Sequence, residues 1–222
     1  MIVLGIETAS SFCGVGLASD SDVMADFTFH GSRHAEQLSD AVRTVLGTAH
    51  IDCKSLDGVA VSIGPGSFTG LRIGMGLAKG LALGLGKPLA AVPTLEAVAS
   101  QIPPKYPRVC VWMSARKAEC YEECFRPTPG GWEPEGEIRL VDVAALEKEN
   151  VTEETVYTGE GALTYRETLE RHIPNARFLS DLLTVPNGYI VARTGMERLR
   201  KGFSADLDNL VPMYVKRFQG VL

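Results

Sequence analysis

Apolar runs separated by short polar breaks divide this chain into alternating strands and helices. Residues 2–6, Ile2-Val3-Leu4-Gly5-Ile6, read as a continuous apolar strand that stops at the polar turn Glu7-Thr8-Ala9-Ser10-Ser11. Phe12–Ala18 and Val23–His30 predict two more strands, joined by a hairpin turn at Ser19-Asp20-Ser21-Asp22. Ser32 suits a helix cap, with Glu36 in the first turn. Ala35, Leu38, Val42, Val45, Leu46 and Ala49 then recur at intervals of three and four, the mark of an amphipathic helix. A buried strand at 57–63, a long apolar helix from Thr69 to Gly86, a short strand at Leu89–Val92 and a helix from Pro93-Thr94 to about Ser100 follow. The prolines of Gln101–Pro107 stop that helix and mark a stiff linker. The pattern then restarts with strands at Arg108–Met113 and Glu119–Phe125, a Pro/Gly-rich loop through Gly136, and a strand near Glu137–Val141. A short helix at 142–149, a strand at Thr155–Thr158 and a helix over Leu163–His172 come next. A helix over Gly188–Gly202, with Ile190, Val191, Met196 and Leu199 inward, and an extended tail from Val211 complete the chain. Two α/β units are expected, 1–104 and 105–222, with the last helix able to pack back on the first unit.

The stretch Gly64-Pro65-Gly66-Ser67-Phe68-Thr69-Gly70-Leu71-Arg72-Ile73-Gly74 joins the strand at 57–63 to the long apolar helix. Strand, glycine loop and helix offer backbone N–H groups to an anion, and equally let helix and sheet approach where no Cβ holds them apart. The spacing is neither a Walker loop nor a dinucleotide fingerprint, and Gly-Pro-Gly-Ser-Phe is no nucleophile elbow. Ser67 or Thr69 is explained as a helix cap. From Thr69 to Gly86 the only charged residues are Arg72 and Lys79. Gly70, Gly74, Ala78 and Ala82 form one track four apart; Gly76, Gly80 and Gly84 form a second, and Leu77, Leu81 and Leu85 a third. A surface helix keeps a charged face toward water, and each interior glycine costs about 0.5–1 kcal/mol relative to alanine. Cover on two sides is therefore expected: its own sheet, and a second helix of this chain or of a partner.

Composition narrows the chemistry. With 222 residues, 45% hydrophobic and 22% charged, the chain reads as an ordinary globular protein, and its net charge of -5 argues against a generally basic nucleic-acid binder. Glu7 interrupts the first apolar run at once, and Arg72 and Lys79 interrupt the long helix, so a cytoplasmic protein is expected. Cys13, Cys53, Cys110, Cys120 and Cys124 are odd in number and scattered; Cys120 and Cys124 lie on one strand face, and buried thiols are expected rather than a zinc pair. His30 and His34 are four apart but lack the glutamate and third ligand of a metal helix, so no metal site is expected. Glu7, beside Thr8 and Ser10, stands where a kinase-like site would hold water or magnesium near phosphate. Ser114, with Arg116 and Lys117, occupies a strand turn that lacks the glycines of a phosphate hairpin. Arg116, Lys117, Arg193, Arg198, Arg200 and Lys201 are able to touch RNA phosphates, as long basic side chains are anywhere on a surface.

These pieces carry a resemblance. The glycine block, with Ala78-Lys79-Gly80-Leu81-Ala82, resembles the TsaB (YeaZ) family, and Leu4-Gly5-Ile6-Glu7-Thr8-Ala9, Arg33-His34-Ala35-Glu36, Thr94-Leu95-Glu96-Ala97, Ser114-Ala115-Arg116-Lys117 and Pro212-Met213-Tyr214 agree in order. The match is dense over 1–100 and sparse after it. The resemblance implies an α/β fold of duplicated actin/Hsp70-like (ASKHA) subdomains, each a mixed sheet flanked by helices, with a degenerate nucleotide site. It implies a non-catalytic subunit for threonylcarbamoyl transfer to adenosine 37 of tRNA, which heterodimerises with a TsaD-type catalytic subunit, supports a TsaE-type ATPase, meets tRNA through the complex and forms a homodimer when alone. ATP and magnesium are implied only through those partners. Family dimerisation through the helices near 33–48 and 69–85 points to Arg33, His34, Glu36, Leu38, Val42, Leu71, Arg72, Gly74, Met75, Ala78, Lys79 and Ala82 as interface residues. Glu7, Thr8, Ser10, Ser114, Arg116, Gly159 and Gly161 are the remnant nucleotide-site candidates. Family members commonly carry Asp at the positions of Glu7 and Ser114, and loss of the second carboxylate weakens any magnesium role. The family's glycoprotease label finds no protease constellation here. The competing reading is an ASKHA-fold kinase or transferase active in its own right.

Overall fold

A computed structural model describes residues 1–20, 22–30, 34–116, 118–146, 153–179 and 185–215; of 34–36 it describes the backbone alone. Two compact units emerge, one of Met1–Ala97 with Pro186–Met213, the other of Val98–Val185 with Tyr214–Leu222.

In the first unit, β1 (Val3–Glu7), β2 (Phe12–Ala18) and β3 (Val23–His30) form the antiparallel meander that their apolar runs predict. After α1 (His34–Thr48), β4 (Gly58–Gly64) pairs parallel to β1. The helix α2 (Phe68–Leu85) then leads to β5 (Leu89–Pro93), parallel to β4, and on to α3 (Thr94–Ser100). The strand order is β3-β2-β1-β4-β5. Alternation along the strands sorts the core. Leu4, Ile6, Val15, Leu17, Val59 and Val61 join Leu38, Val42 and Val45 of α1 and Ala78 and Ala82 of α2. Val3, Ala18, Ala60, Ala90 and Val92 join Ile190, Val191, Ala192 and Met196 from the helix Gly188–Arg200. β1 is covered on both faces, which is why it reads as an unbroken apolar run rather than an alternation.

That last helix is the element a cut at 104/105 assigns to the second half; it belongs to the first unit, packed on β1, β2, β4 and β5. Its approach depends on absent side chains. A Cβ at Gly5 or Gly16 would overlap its backbone, and one at its own Gly188 or Gly195 would overlap Gly16 or Ala60. Its start is capped twice: Asn187 Oδ1 accepts from the N–H of Ile190 at 2.9 Å, and Asp26 Oδ1 accepts from the N–H of Tyr189 at 2.8 Å.

The second unit holds β6 (Val109–Ser114), β7 (Glu119–Thr128), β8 (Gly131–Pro134), β9 (Arg139–Asp142), β10 (Thr155–Thr158) and β11 (Ala176–Phe178). Their order is β11-β10-β6-β7-β8, with β9 also paired to β7. The loop expected through Gly136 is in fact a hairpin, with Thr128 opposite Gly131 and β8 returning along β7. At 142–149 the described residues hold one 3-10 turn, Val143–Ala145, capped by Asp142, rather than a helix; 147–150 lie outside the described residues. The helix expected over Leu163–His172 is two pieces, α4 (Glu160–Thr164) and α5 (Arg166–His172), and the helix Gly188–Arg200 is accordingly α6. One cysteine expectation fails: Cys110 and Cys124, paired across β6 and β7, form a disulfide, while Cys13, Cys53 and Cys120 are thiols. Among the described residues no helix is long and apolar enough to cross a membrane.

Candidate partner-binding face

The glycine loop after β4 is shaped by the polar turn after β1. Ser67 donates its N–H to the Ala9 carbonyl at 2.7 Å, and its hydroxyl caps α2 by accepting from the N–H of Gly70 at 3.2 Å. A Cβ at Gly66 would overlap Ala9, and one at Gly70 would overlap the Thr8 carbonyl. Gly64 takes φ +108, joined to Pro65 by a cis peptide. These glycines are explained by close approach of backbone to backbone, and α2 is seated by them on the end of β1. Four residues on, Gly74 continues the seat against the Thr8 side chain.

The seat fixes the phase of α2. Gly70, Leu71, Gly74, Met75, Ala78 and Ala82 are buried within the chain. The opposite side presents Thr69, Arg72, Gly76, Gly80, Leu83 and Gly84 to solvent. Leu83 is 75% exposed, and a Cβ at Gly76, Gly80 or Gly84 would meet nothing within 4 Å. The guanidinium of Arg72 lies 3.9 Å over the Phe68 ring, at the start of this outer track. Its other end closes at Gly86, which takes φ +61 as the C-cap. Lys79 is half-buried beside Asp206, whose carboxyl is held below its ordinary range first by the Asn209 side chain and the Asp208 N–H, with the Lys79 charge a smaller contribution. Alongside, α1 turns Gln37, Asp40, Arg43, Thr44 and Gly47 outward, with Arg43 paired to Asp40.

The interface residues expected from the sequence therefore divide, and part of the set is corrected. Leu38, Val42, Leu71, Gly74, Met75, Ala78 and Ala82 point into the chain's own core, so no partner reaches them without opening it. Arg72 is exposed and Lys79 half-exposed on α2. Arg33, and the side chains of His34 and Glu36, lie outside the described residues. Gly76, Gly80, Leu83 and Gly84 are exposed on the outer side of α2 and were not in the set. Their i, i+4 track is plain in the sequence; which track faces outward depends on where the helix is seated.

The remnant nucleotide-site candidates fall in two units. Glu7 and Thr8 are fully buried and Ser10 nearly so. Glu7 Oε1 accepts from the N–H of Ala9 at 2.5 Å, and Ser10 Oγ accepts from the N–H of Phe12 at 3.0 Å, so both serve their own turn. In the second unit Ser114 and Arg116 are exposed at the end of β6 and the turn after it, while Lys117 lies outside the described residues. Gly159, at φ +97, and Gly161 abut β6: a Cβ on Gly159 would overlap the Trp112 carbonyl, and one on Gly161 would sit 3.0 Å from it. Packing of α4 on β6 accounts for both.

Comparison with known proteins adds a second line. The family model for TsaD, tRNA N6-adenosine threonylcarbamoyltransferase, matches residues 29–125. The tRNA threonylcarbamoyladenosine biosynthesis protein TsaB of Escherichia coli is 37% identical over 138 residues, covering 61% of this chain and 60% of that protein. The protein of the same name from Bacillus subtilis is 27% identical over 221 residues, covering 97% of this chain and 94% of its own length. The solved structure of YeaZ from Pseudomonas aeruginosa superposes with a TM-score of 0.80 at 24% identity, over 96% of this chain and 99% of that one, a likeness of fold.

Proposed function

The chain belongs to the TsaB/YeaZ family, and from that premise we propose that it is the non-catalytic subunit of a tRNA-modifying assembly, positioning a TsaD-type catalytic subunit for threonylcarbamoyl transfer to adenosine 37. The observation that carries this reading is the outer face of α2, where Gly76, Gly80 and Gly84 leave the backbone open beside the exposed Leu83. A helix that forgoes side chains on a solvent track loses propensity at each glycine and gains nothing as a monomer. Facing a second helix, the same track permits backbone approach, with Leu83 as the apolar anchor and Arg72 at the rim.

In this reading the TsaE-type ATPase joins the pair, and ATP, magnesium and tRNA enter through those partners. Without the catalytic subunit the same face supports a homodimer. The two units are duplicated ASKHA-like subdomains, and the compartment is the cytoplasm. The packing duties of Gly159 and Gly161, and the turn duties of Glu7 and Ser10, support a remnant site over a working one.

The test is the mass in solution of the purified chain, alone and mixed with the TsaD homologue of the same genome. A 1:1 complex that forms at the expense of the homodimer, and that Gly80→Leu abolishes without loss of fold, is expected. A wild-type chain that stays apart from the homologue, with TsaE and ATP also present, would overturn the reading.

A further inference from the structure

We propose that Cys110, Glu122 and Cys124 form a zinc-type metal site on the second unit when the two sulfurs are thiols. The site is invisible as a spacing motif because its cysteines face each other across a ladder. β6 and β7 pair Cys110 with Cys124 and Trp112 with Glu122, and alternation puts all four side chains on one face of the sheet. One donor atom from each of Cys110, Glu122 and Cys124 lies within 4.8 Å of the others.

The surroundings are those of a metal carboxylate. Glu122 is only 3% exposed, yet it accepts three hydrogen bonds: Trp112 Nε1 donates to Oε1 at 2.9 Å, and Arg139 donates to Oε2 through Nε at 2.9 Å and also through Nη2. Oε1, with the single bond from Trp112, keeps a second lone pair for a metal ion, while the two Arg139 N–H groups on Oε2 orient the carboxylate. The charges also balance. A divalent ion with two thiolates and one carboxylate carries a single negative charge, and the Arg139 guanidinium offsets it, as a buried ionic group requires. A cleft of about 250 Å³ reaches Cys124 from solvent; Glu122, Glu123, Glu135 and Glu137 line it against Arg108 and Arg139. On that route Glu122 is paired with Arg139 and Glu135 with Arg108, while Glu123 and Glu137 add further negative charge. A zinc ion held by three protein ligands would take water as its fourth. Two sulfur donors select zinc over magnesium or calcium.

Disulfide and metal exclude each other, because both use the same sulfur atoms. The experiment therefore begins by reducing the full chain with a phosphine: phosphorus becomes the phosphine oxide, taking oxygen from a water whose two protons go to the sulfurs. After removal of the phosphine under anaerobic conditions, cobalt(II) is titrated in as the spectroscopic stand-in for zinc. One equivalent is expected to bind with sulfur-to-cobalt charge-transfer bands and tetrahedral visible bands, to release the two thiol protons, and to be displaced by zinc. Cys110→Ser/Cys124→Ser should abolish the bands. Glu122→Gln keeps an acceptor for Trp112 and should weaken binding at least about tenfold; should it fail to fold, Cys124→Ser alone supplies the comparison. Cys53→Ser, at the half-exposed thiol, should change nothing. The proposal is overturned if the folded, reduced chain shows no sulfur–cobalt bands, if the double variant retains them, or if the disulfide opens only when the circular dichroism of the fold is lost.

Discussion

Gly74 and Gly80 lie six residues apart on α2 and have opposite surroundings. A side chain at 74 would drive into Thr8, whereas one at 80 would meet open solvent. Gly74→Leu should therefore lower monomer stability by at least the roughly 1–3 kcal/mol of an overpacked core, read from its urea midpoint. Gly80→Leu should leave the monomer as stable as the parent, or slightly more so through helix propensity, while gel filtration shows the assembly lost. Cys13 offers a prediction in pH. Burial first, and the charge of Glu7 second, push its thiol from the ordinary 9.0 up to about 12. The folded state thus holds the thiol proton more tightly than the unfolded chain. That contribution to stability is complete below pH 9 and is lost as the pH rises toward 12. Cys13→Ala should show a smaller fall in urea midpoint over that window than the parent.

At the scale of elements, α6 shows how a distant segment completes a sheet. It lies on β1 and β2 because Gly5 and Gly16 leave room for its backbone, and because its own Gly188 and Gly195 return the accommodation. Gly16→Ala, an innocuous change on an exposed strand, should here lift the helix and speed hydrogen exchange in β1 and β2. The cap is a milder lever. Asn187→Ala removes the acceptor for the Ile190 N–H and should cost about 1 kcal/mol, read as a lowered melting temperature with the fold intact. The hairpin β7–β8 and the ladder β6–β7 make the same point in the second unit: pairing across strands, not spacing along the chain, sets which residues meet.

For the whole molecule, the first unit is discontinuous, so a cut at the proline-rich linker separates α6 from the sheet it covers. A fragment of residues 1–104 would expose Val3, Ala18, Ala60, Ala90 and Val92, the face that α6 covers. It should fail to fold, and joining 186–213 to it through a flexible linker should restore a cooperative melt. The reverse outcome, a folded 1–104 fragment, would show that α6 is dispensable.

Strand and helix identities were legible along most of the chain, because apolar period and breakers act locally: β1 to β5, α1 to α3, β6 and β10 stand where the pattern puts them. The two α2 tracks, and the glycine block that carries the family resemblance, were legible too. The direction each track faces was not, since it depends on where Thr8 and Ala9 seat the helix, more than fifty residues away in sequence. For the same reason Leu71, Gly74 and Ala78 look like surface for a partner in the sequence and are core in the fold. Local chemistry determined the elements; long-range contact decided which face of each is inside, which unit α6 completes, and that Cys110 meets Cys124. Those pairings rest on burial and register between segments, and no single segment contains that information.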